Sequence, residues 1–179
     1  MEEEKTMSAA QRGSIMHYIM QHLDLANVDS IDAIKSQVNQ MVLDEYLTVE
    51  QAKTANINKI FGFFKSDLGQ RIKGADRVYR EMPFNIEISP EEVFINGEYK
   101  DSDDKILLQG VIDCYFIEKD KAILLDYKTD YIDGDEKEIA DKRYKLQIDY
   151  YTKALETILG KKIDERYIYF FYTGNAVNV

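Results

Sequence analysis

Apolar residues recur at the helical period through roughly the first 70 residues of the chain. The clearest example is the segment 8–23, in which one stripe contains Ile15, Met16, Ile19, Met20 and Leu23. This spacing predicts an amphipathic helix that buries one face. Two further helices are predicted over 30–46 and from 48 to about 71, and Thr48 with Gln51 matches a capping box at the start of the latter.

After Gly74 the pattern becomes that of β-strands. Strands are predicted over 77–88, 106–117, 121–128, 167–172 and 176–179, and the short polar step between the second and the third is typical of a hairpin. Between the third and the fourth strand, the spacing over 136–159 predicts one long helix, which ends at Gly160.

This order of elements predicts an α/β fold with a mixed central sheet flanked by helices. No repeat or linker divides the chain, so we expect a single domain over 1–179. It would consist of a helical part over about 8–73 and a sheet-and-helix core over about 76–179. The composition, 45% hydrophobic and 31% charged, is that of an ordinary globular domain.

Cysteine content and charge narrow the possible functions. Cys114 is the only cysteine, which excludes an internal disulfide and a four-cysteine iron–sulfur or zinc site and favours a reducing compartment. Residues 1–5 lack the features of a signal peptide, and no apolar run approaches the length of a membrane span, so we expect a cytoplasmic protein without membrane contact. The net charge of −10 argues against a free-standing nucleic-acid binder, because phosphate backbones are usually met by basic surfaces.

The predicted hairpin brings two carboxylates together. With Lys119 and Asp120 as its two-residue loop, the antiparallel register places Asp113 directly opposite Asp126. Side chains alternate along a strand, so Lys128 points to the same face as Asp126. Like charges opposite each other destabilise a sheet, and a divalent cation such as Mg²⁺ or Mn²⁺ would compensate them. The residues alone equally allow a solvated sheet edge with Lys128 as a salt-bridge partner.

Several short motifs occur together with this constellation in a particular order. They are Arg-Gly-Ser-Ile-Met-His at 12–17, Arg-Glu-Met-Pro-Phe at 80–84, Gly-Val-Ile-Asp at 110–113, Asp-Tyr-Lys-Thr at 126–129 and Gln-Ile-Asp-Tyr-Tyr at 147–151. Together they resemble the motifs of RecB-type nucleases of the PD-(D/E)XK superfamily, whose fold is restriction-endonuclease-like. The segments 8–13, 20–23 and 167–171 most resemble the C-terminal nuclease domain of the AddA family of helicase–nuclease subunits.

The resemblance implies a role for each matching residue. Asp113 and Asp126 would bind the metal together with His17 and the backbone carbonyl of Tyr127, and Lys128 would be the catalytic lysine. From the residues alone, His17 is more readily explained as a packing residue beside an apolar stripe.

Two residues on the last predicted helix complete the set that the resemblance implies. Gln147 and Tyr151 would support the site and contact the substrate strand. Without the resemblance they would form an ordinary half-buried helix face. Glu81 is expected to be a surface charge outside the site, His22 a structural residue and Cys114 a core residue.

The resemblance implies a Mg²⁺-dependent deoxyribonuclease, exo- or endonucleolytic, in which Mn²⁺ would substitute and which has no iron–sulfur cluster. It would cut single-stranded DNA delivered by a helicase during double-strand break processing for recombinational repair. The expected partners are DNA, a helicase domain of the same polypeptide and an AddB-like subunit, which would supply the basic DNA path. Two alternatives remain open: a catalytically silent scaffold that guides DNA or docks a partner, and a different metal phosphoesterase or RNase on the same fold.

Overall fold

The computed structural model describes residues 7–92 and 104–179. The first five residues, for which no signal peptide is predicted, lie outside this part of the chain. Within the two described ranges, no helix is both long enough and apolar enough to cross a membrane.

The N-terminal region is helical, as predicted, and each helix begins at a polar residue. The helices are α1 (Ala9–His22), α2 (Ile31–Leu43), α3 (Val49–Thr54), α4 (Ile57–Lys65) and α5 (Asp67–Lys73). Their N-caps are Ser8, Ser30, Thr48, Asn56 and Ser66, whose side chains accept backbone N–H groups of the first turn. The predicted capping box of Thr48 and Gln51 is confirmed.

The prediction of one helix from 48 to about 71 is wrong, because this segment forms α3, α4 and α5. The side chain of Asn56 caps α4 by accepting from Lys59 N, and that of Ser66 caps α5 by accepting from Gly69 N. All three helices contribute apolar residues to the same side of the molecule, so the helical period continues across the breaks. Periodicity therefore did not reveal the two turns, whereas the capping residues mark them.

The turn between α4 and α5 requires a glycine at position 69. A Cβ at Gly69 would lie 2.7 Å from the carbonyl carbon of Phe63 and closer still to its oxygen, far inside contact distance. We therefore expect Gly69→Ala to lower the free energy of unfolding by about 2 kcal/mol or more. Gly62→Ala is the matched control, since a Cβ there has no neighbour within 4 Å and should be neutral or slightly stabilising. Urea unfolding of both variants tests this, and equal stability of the two would contradict it.

In the described ranges the strands form one five-stranded sheet in the order β1-β2-β3-β4-β5. They are β1 (Arg77–Ile88), β2 (Ile106–Glu118), β3 (Lys121–Lys128), β4 (Glu165–Phe170) and β5 (Asn175–Asn178). β3 and β4 are parallel, and the other neighbours are antiparallel. The predicted mixed central sheet flanked by helices is thus confirmed.

The β2–β3 hairpin has the predicted two-residue loop. Lys119 and Asp120 both have positive φ, 49° and 66°, as a primed turn requires, and Glu118 pairs with Lys121. This local turn therefore determines the register of the two strands, which carry most of the candidate site.

The crossover from β3 to β4 contains α6 (Glu136–Ile139), a π-helical turn (Ala140–Tyr144) and α7 (Lys145–Leu159). The long helix predicted over 136–159 is thus helical throughout but interrupted by one wider turn. Gly160 ends it in the left-handed conformation, with φ of 65°, as predicted.

Each face of the sheet carries its own apolar core. One core joins helices α1 to α5 to side chains such as Phe116, Leu125 and Tyr127, and the other joins α7 to side chains such as Leu124 and Ile168. The sheet is therefore covered on both faces, and polar groups in its central strands are withdrawn from water.

Candidate metal centre

Three carboxylates lie side by side across the first three strands. Asp113 on β2 is at the next register position beyond the Cys114–Leu125 pair, opposite Asp126 on β3. On its other side, the register of β1 and β2 brings Glu81 opposite Asp113. Like charges in such a row destabilise a sheet, so the arrangement calls for compensating cations.

The backbone departs from a regular ladder at these residues. The Tyr127 N–H donates to Asp113 Oδ2 at 2.8 Å instead of continuing the β2–β3 pairing. Glu81 has a φ of 49°, although it lies inside a strand and is not a glycine. Left-handed conformations cost a non-glycine residue on the order of 1 kcal/mol or more and are common at functional sites. The irregularity turns polar atoms toward one another.

His17 enters this cluster from α1. Its Nδ1 lies 3.4 Å from Asp113 Oδ1 and 3.8 Å from Glu81 Oε1, and its Nε2 lies 3.1 Å from the Tyr127 carbonyl oxygen. The helix is fixed to the sheet by Arg80, which donates to backbone carbonyls in its last turn and just beyond. One imidazole thus contacts both strands of the hairpin and the preceding strand.

The carboxylates control the protonation of this histidine. Burial lowers the pKa of His17, but the hydrogen bond and charge of Asp113, together with Glu81 and Asp126, outweigh burial and raise the pKa above its ordinary value. Burial and the Asp113 charge likewise raise the pKa of Glu81. The cluster attracts positive charge.

Asp126 is the most constrained of the three acids. Its side chain is fully buried; Oδ2 forms an ion pair with Lys128 Nζ at 2.7 Å, and Oδ1 has no hydrogen-bond partner among the described residues. Burial and the nearby Asp113 charge raise the pKa of Asp126. Buried polar groups are normally satisfied, so an unpaired oxygen among three neighbouring acids suits a cation.

A divalent cation fits the donor atoms found here. His17, Glu81 and Asp113 each offer one ligand atom, and these atoms lie within 4.8 Å of one another. Asp126 is outside that set but faces the same side of the sheet. Carboxylate and carbonyl oxygens with one imidazole nitrogen suit Mg²⁺ or Mn²⁺. The predicted ligands His17, Asp113, Asp126 and Tyr127 are therefore brought to one place.

Lys128 is held by a chain of contacts that leads to α7. Its Nζ donates to Gln147 Oε1 at 2.8 Å, and Gln147 Nε2 donates to the Tyr151 hydroxyl at 2.7 Å. The ring of Tyr144 lies 4.8 Å from the same ammonium group. Burial raises the pKa of Tyr151 to about 12, so its hydroxyl stays neutral. The predicted pair Gln147 and Tyr151 thus lies next to Lys128.

The expectation that Glu81 is a surface charge outside the site is wrong. Glu81 is half-buried, and its carboxylate is one of the three mutually close ligand groups. The signal available in the sequence was its place in the motif at 80–84, next to Pro83. His22 stacks on Tyr18, and Cys114 is buried in the core, as expected for both.

Comparison with known proteins gives a family and a set of relatives. The family model described as PD-(D/E)XK nuclease superfamily matches residues 1–176. The A subunit of the ATP-dependent helicase/nuclease from Thermoanaerobacter sp. (strain X514) is 47% identical over 99% of this chain. The proteins of the same name from Ruminiclostridium cellulolyticum and Clostridium acetobutylicum are 47% and 41% identical over 100% of it. The chain spans 14% of the length of each of these relatives.

Proposed function

Because the chain belongs to the PD-(D/E)XK nuclease superfamily, we propose that it hydrolyses phosphodiester bonds of single-stranded DNA with a divalent metal ion. One observation carries this proposal: the fully buried Asp126 carboxylate lies between Asp113 and Lys128, with Oδ2 paired to the Lys128 ammonium and Oδ1 without a hydrogen-bond partner in the described chain. A merely structural carboxylate would have both oxygens paired or exposed. The unpaired oxygen therefore supports a role for Asp126 in binding a cation.

Asp113, Asp126, His17 and the Tyr127 carbonyl would hold the metal, which we expect to be Mg²⁺, with Mn²⁺ as a substitute. When bound, the ion would polarise the scissile phosphate and acidify a bound water. Glu81 is close enough to Asp113 and His17 to add a ligand or to orient one through water. The set has no thiolate, since the only cysteine is buried in the core.

Lys128 would be the catalytic group that orients the attacking water. Asp126 and Gln147 fix its ammonium from two sides, so one N–H remains to be directed at the water oxygen and to stabilise the charge that develops there. Gln147 is itself oriented through Tyr151. In the overall reaction the water hydroxyl joins phosphorus, the phosphorus–oxygen bond of the leaving nucleotide breaks, and the water proton ends on the leaving oxygen.

The remaining parts of the proposed function extend beyond this chain. Its relatives carry the name of a helicase/nuclease and are about seven times as long, so we propose a helicase domain in the same polypeptide and an AddB-like partner protein. The role would be double-strand break processing for recombinational repair in the cytoplasm. A net charge of −10 supports a basic DNA path outside the chain, because the chain by itself repels phosphate.

The direct test is cleavage of end-labelled oligonucleotides by the 179-residue chain. Single-stranded DNA, duplex DNA and RNA of one sequence are incubated with Mg²⁺, Mn²⁺ or EDTA. We expect metal-dependent products from single-stranded DNA that EDTA abolishes. If the chain binds Mn²⁺ in calorimetry yet cuts none of the three, it depends on its helicase for substrate. Absence of both Mn²⁺ binding and cleavage would favour the catalytically silent scaffold, and preferential RNA cleavage would favour an RNase.

Glu81 offers a narrower test of the metal centre. We expect Glu81→Gln to weaken Mn²⁺ binding by about tenfold or more, the usual cost of removing a group that ligates or orients a ligand. Titration calorimetry measures this. Glu87→Gln is the matched control, because Glu87 lies on the same strand but is exposed. Equal affinities of the two variants would show that Glu81 has no part in the centre.

A further inference from the structure

An open groove of about 380 Å³ lies just beyond the end of β3, whose last residue is Lys128. It is formed where β3 and β4 end, and residues of α1 and α4 make its opposite wall. Thr129, Asp130 and Tyr131 line it directly after Lys128, and Met16 lines it directly before His17. The groove therefore lies past the end of the strand that carries Lys128, on the face covered by α1 and α4 and at the carboxyl ends of two parallel strands, where open α/β sheets commonly bind ligands.

Two exposed tyrosines dominate this groove. Tyr131 is 67% exposed and Tyr172 is 43% exposed. Their ring centroids are 4.7 Å apart, with planes inclined at 62°. Both rings keep exposed surface in the described chain, although they contact each other and Lys59 lies over Tyr172; exposed aromatic rings are the usual platform for an unpaired nucleobase.

The charges around the pair favour a base over a bare anion. Lys59 Nζ lies 4.7 Å from the centroid of the Tyr172 ring, and Arg12 is a second cation in the groove. Asp130 is an opposing anion, although its carboxylate already accepts from the Tyr144 hydroxyl. Burial, the neighbouring Tyr131 and the negative charge of Asp133 together raise the pKa of the Tyr172 hydroxyl. With cations and anions balanced, the aromatic faces are the distinguishing feature of the groove.

The groove is at a suitable distance from the scissile position. Tyr131 follows Lys128 by three residues, so their Cα atoms are at most about 11 Å apart. Tyr172 follows Phe170, which pairs with Lys128 in the parallel register. Because Lys128 points toward α7, a nucleic-acid strand with a phosphate at Lys128 would pass the end of β3 to bring a nearby base to the two rings. A duplex covers both faces of its bases, whereas a single strand leaves them free to stack.

We propose that Tyr131 and Tyr172 form a base-stacking subsite that holds an unpaired nucleobase next to the phosphate at Lys128, with Lys59 beside the strand. This rests on the proposed function, which it extends by giving a reason for the use of a single strand. Stacking involves the base and not the sugar, so DNA and RNA single strands would both bind at the subsite. The metal centre would then have to distinguish DNA from RNA.

Binding can be measured without cleavage. Single-stranded DNA carrying the fluorescent base 2-aminopurine is titrated with the 179-residue chain in EDTA, and quenching of the base reports stacking. The chain contains no tryptophan, so protein emission does not interfere. We expect Tyr131→Ala and Tyr172→Ala each to weaken binding by about tenfold, the effect of losing one base stack. Tyr131→Phe keeps the aromatic ring and should bind like the unmodified chain.

The controls separate this subsite from general effects. Tyr46→Ala removes a tyrosine that is 64% exposed but lies outside the groove, and it should bind like the unmodified chain. Single-stranded RNA should quench similarly and duplex DNA weakly. Absence of quenching by the unmodified chain, or unchanged binding by both groove variants, would overturn the subsite. Metal-dependent cleavage without quenching would leave the proposed function intact, and quenching without cleavage would leave the subsite intact.

Discussion

Asp126→Asn is expected to abolish metal-dependent DNA cleavage, by about 10³-fold or more, without unfolding the chain. The substitution keeps the shape of the side chain but removes the charge that would bind the cation. The carboxylate is fully buried next to Asp113, and these two effects raise its pKa despite the ion pair with Lys128, so its charge is costly in the metal-free protein. We therefore expect the variant to be at least as stable as the original chain when no metal is present.

Two measurements check this result together. Cleavage of single-stranded DNA with Mg²⁺ gives the rate, and urea unfolding in EDTA gives the stability. Asp120→Asn is a suitable control, because Asp120 is an exposed loop residue of the same hairpin and asparagine tolerates its positive φ. Cleavage at an undiminished rate by Asp126→Asn would remove this residue from the metal centre. A large loss of stability would instead assign it a structural role.

Lys128→Met is expected to lower the cleavage rate by about 10²-fold to 10³-fold while leaving Mn²⁺ affinity largely unchanged. Methionine keeps much of the length of the side chain but cannot donate to a water or to Gln147. The Asp126 carboxylate loses its ion-pair partner, which leaves both its oxygens available to a cation. The effect would therefore appear in the rate constant, not in metal occupancy.

The separation of rate from metal binding makes this prediction specific. Cleavage at saturating Mn²⁺ and titration calorimetry are measured on the same preparation. Lys142→Met serves for comparison, because Lys142 is exposed and pairs with Glu138 on the adjoining helical turn, away from the centre. Parallel losses of affinity and rate in Lys128→Met would indicate that the lysine maintains the centre instead of acting on the water.

The parts of the site that could be predicted are those whose positions depend on local geometry. A two-residue loop fixes the register of a hairpin, so the residues around Lys119 and Asp120 were enough to place Asp113 opposite Asp126. The spacing of Gln147 and Tyr151 similarly fixed their common helix face. His17 could be placed only through the resemblance, because it reaches the hairpin from far away along the chain, 110 residues before Tyr127.

Glu81 was missed because its position depends on long-range register. Seventeen residues, 89–105, separate β1 from β2 along the chain, so the sequence alone assigned no register to this pair of strands. Its positive φ is imposed by the surroundings and has no sequence signature such as glycine. The breaks between α3, α4 and α5 were missed for a related reason: burial against one core preserved the apolar period across them.

The π-helical turn at Ala140–Tyr144 makes the length of the crossover part of the site. Removing one residue from this turn would convert it to α-helix and rotate α7 by about 100° relative to α6. Gln147 and Tyr151 would then turn away from Lys128, even though every residue of the site was still present. The rotation of α7 about its axis is thus as necessary for the contact with Lys128 as the side chains that α7 carries. Length changes in homologous chains should fall in the loops and spare this crossover.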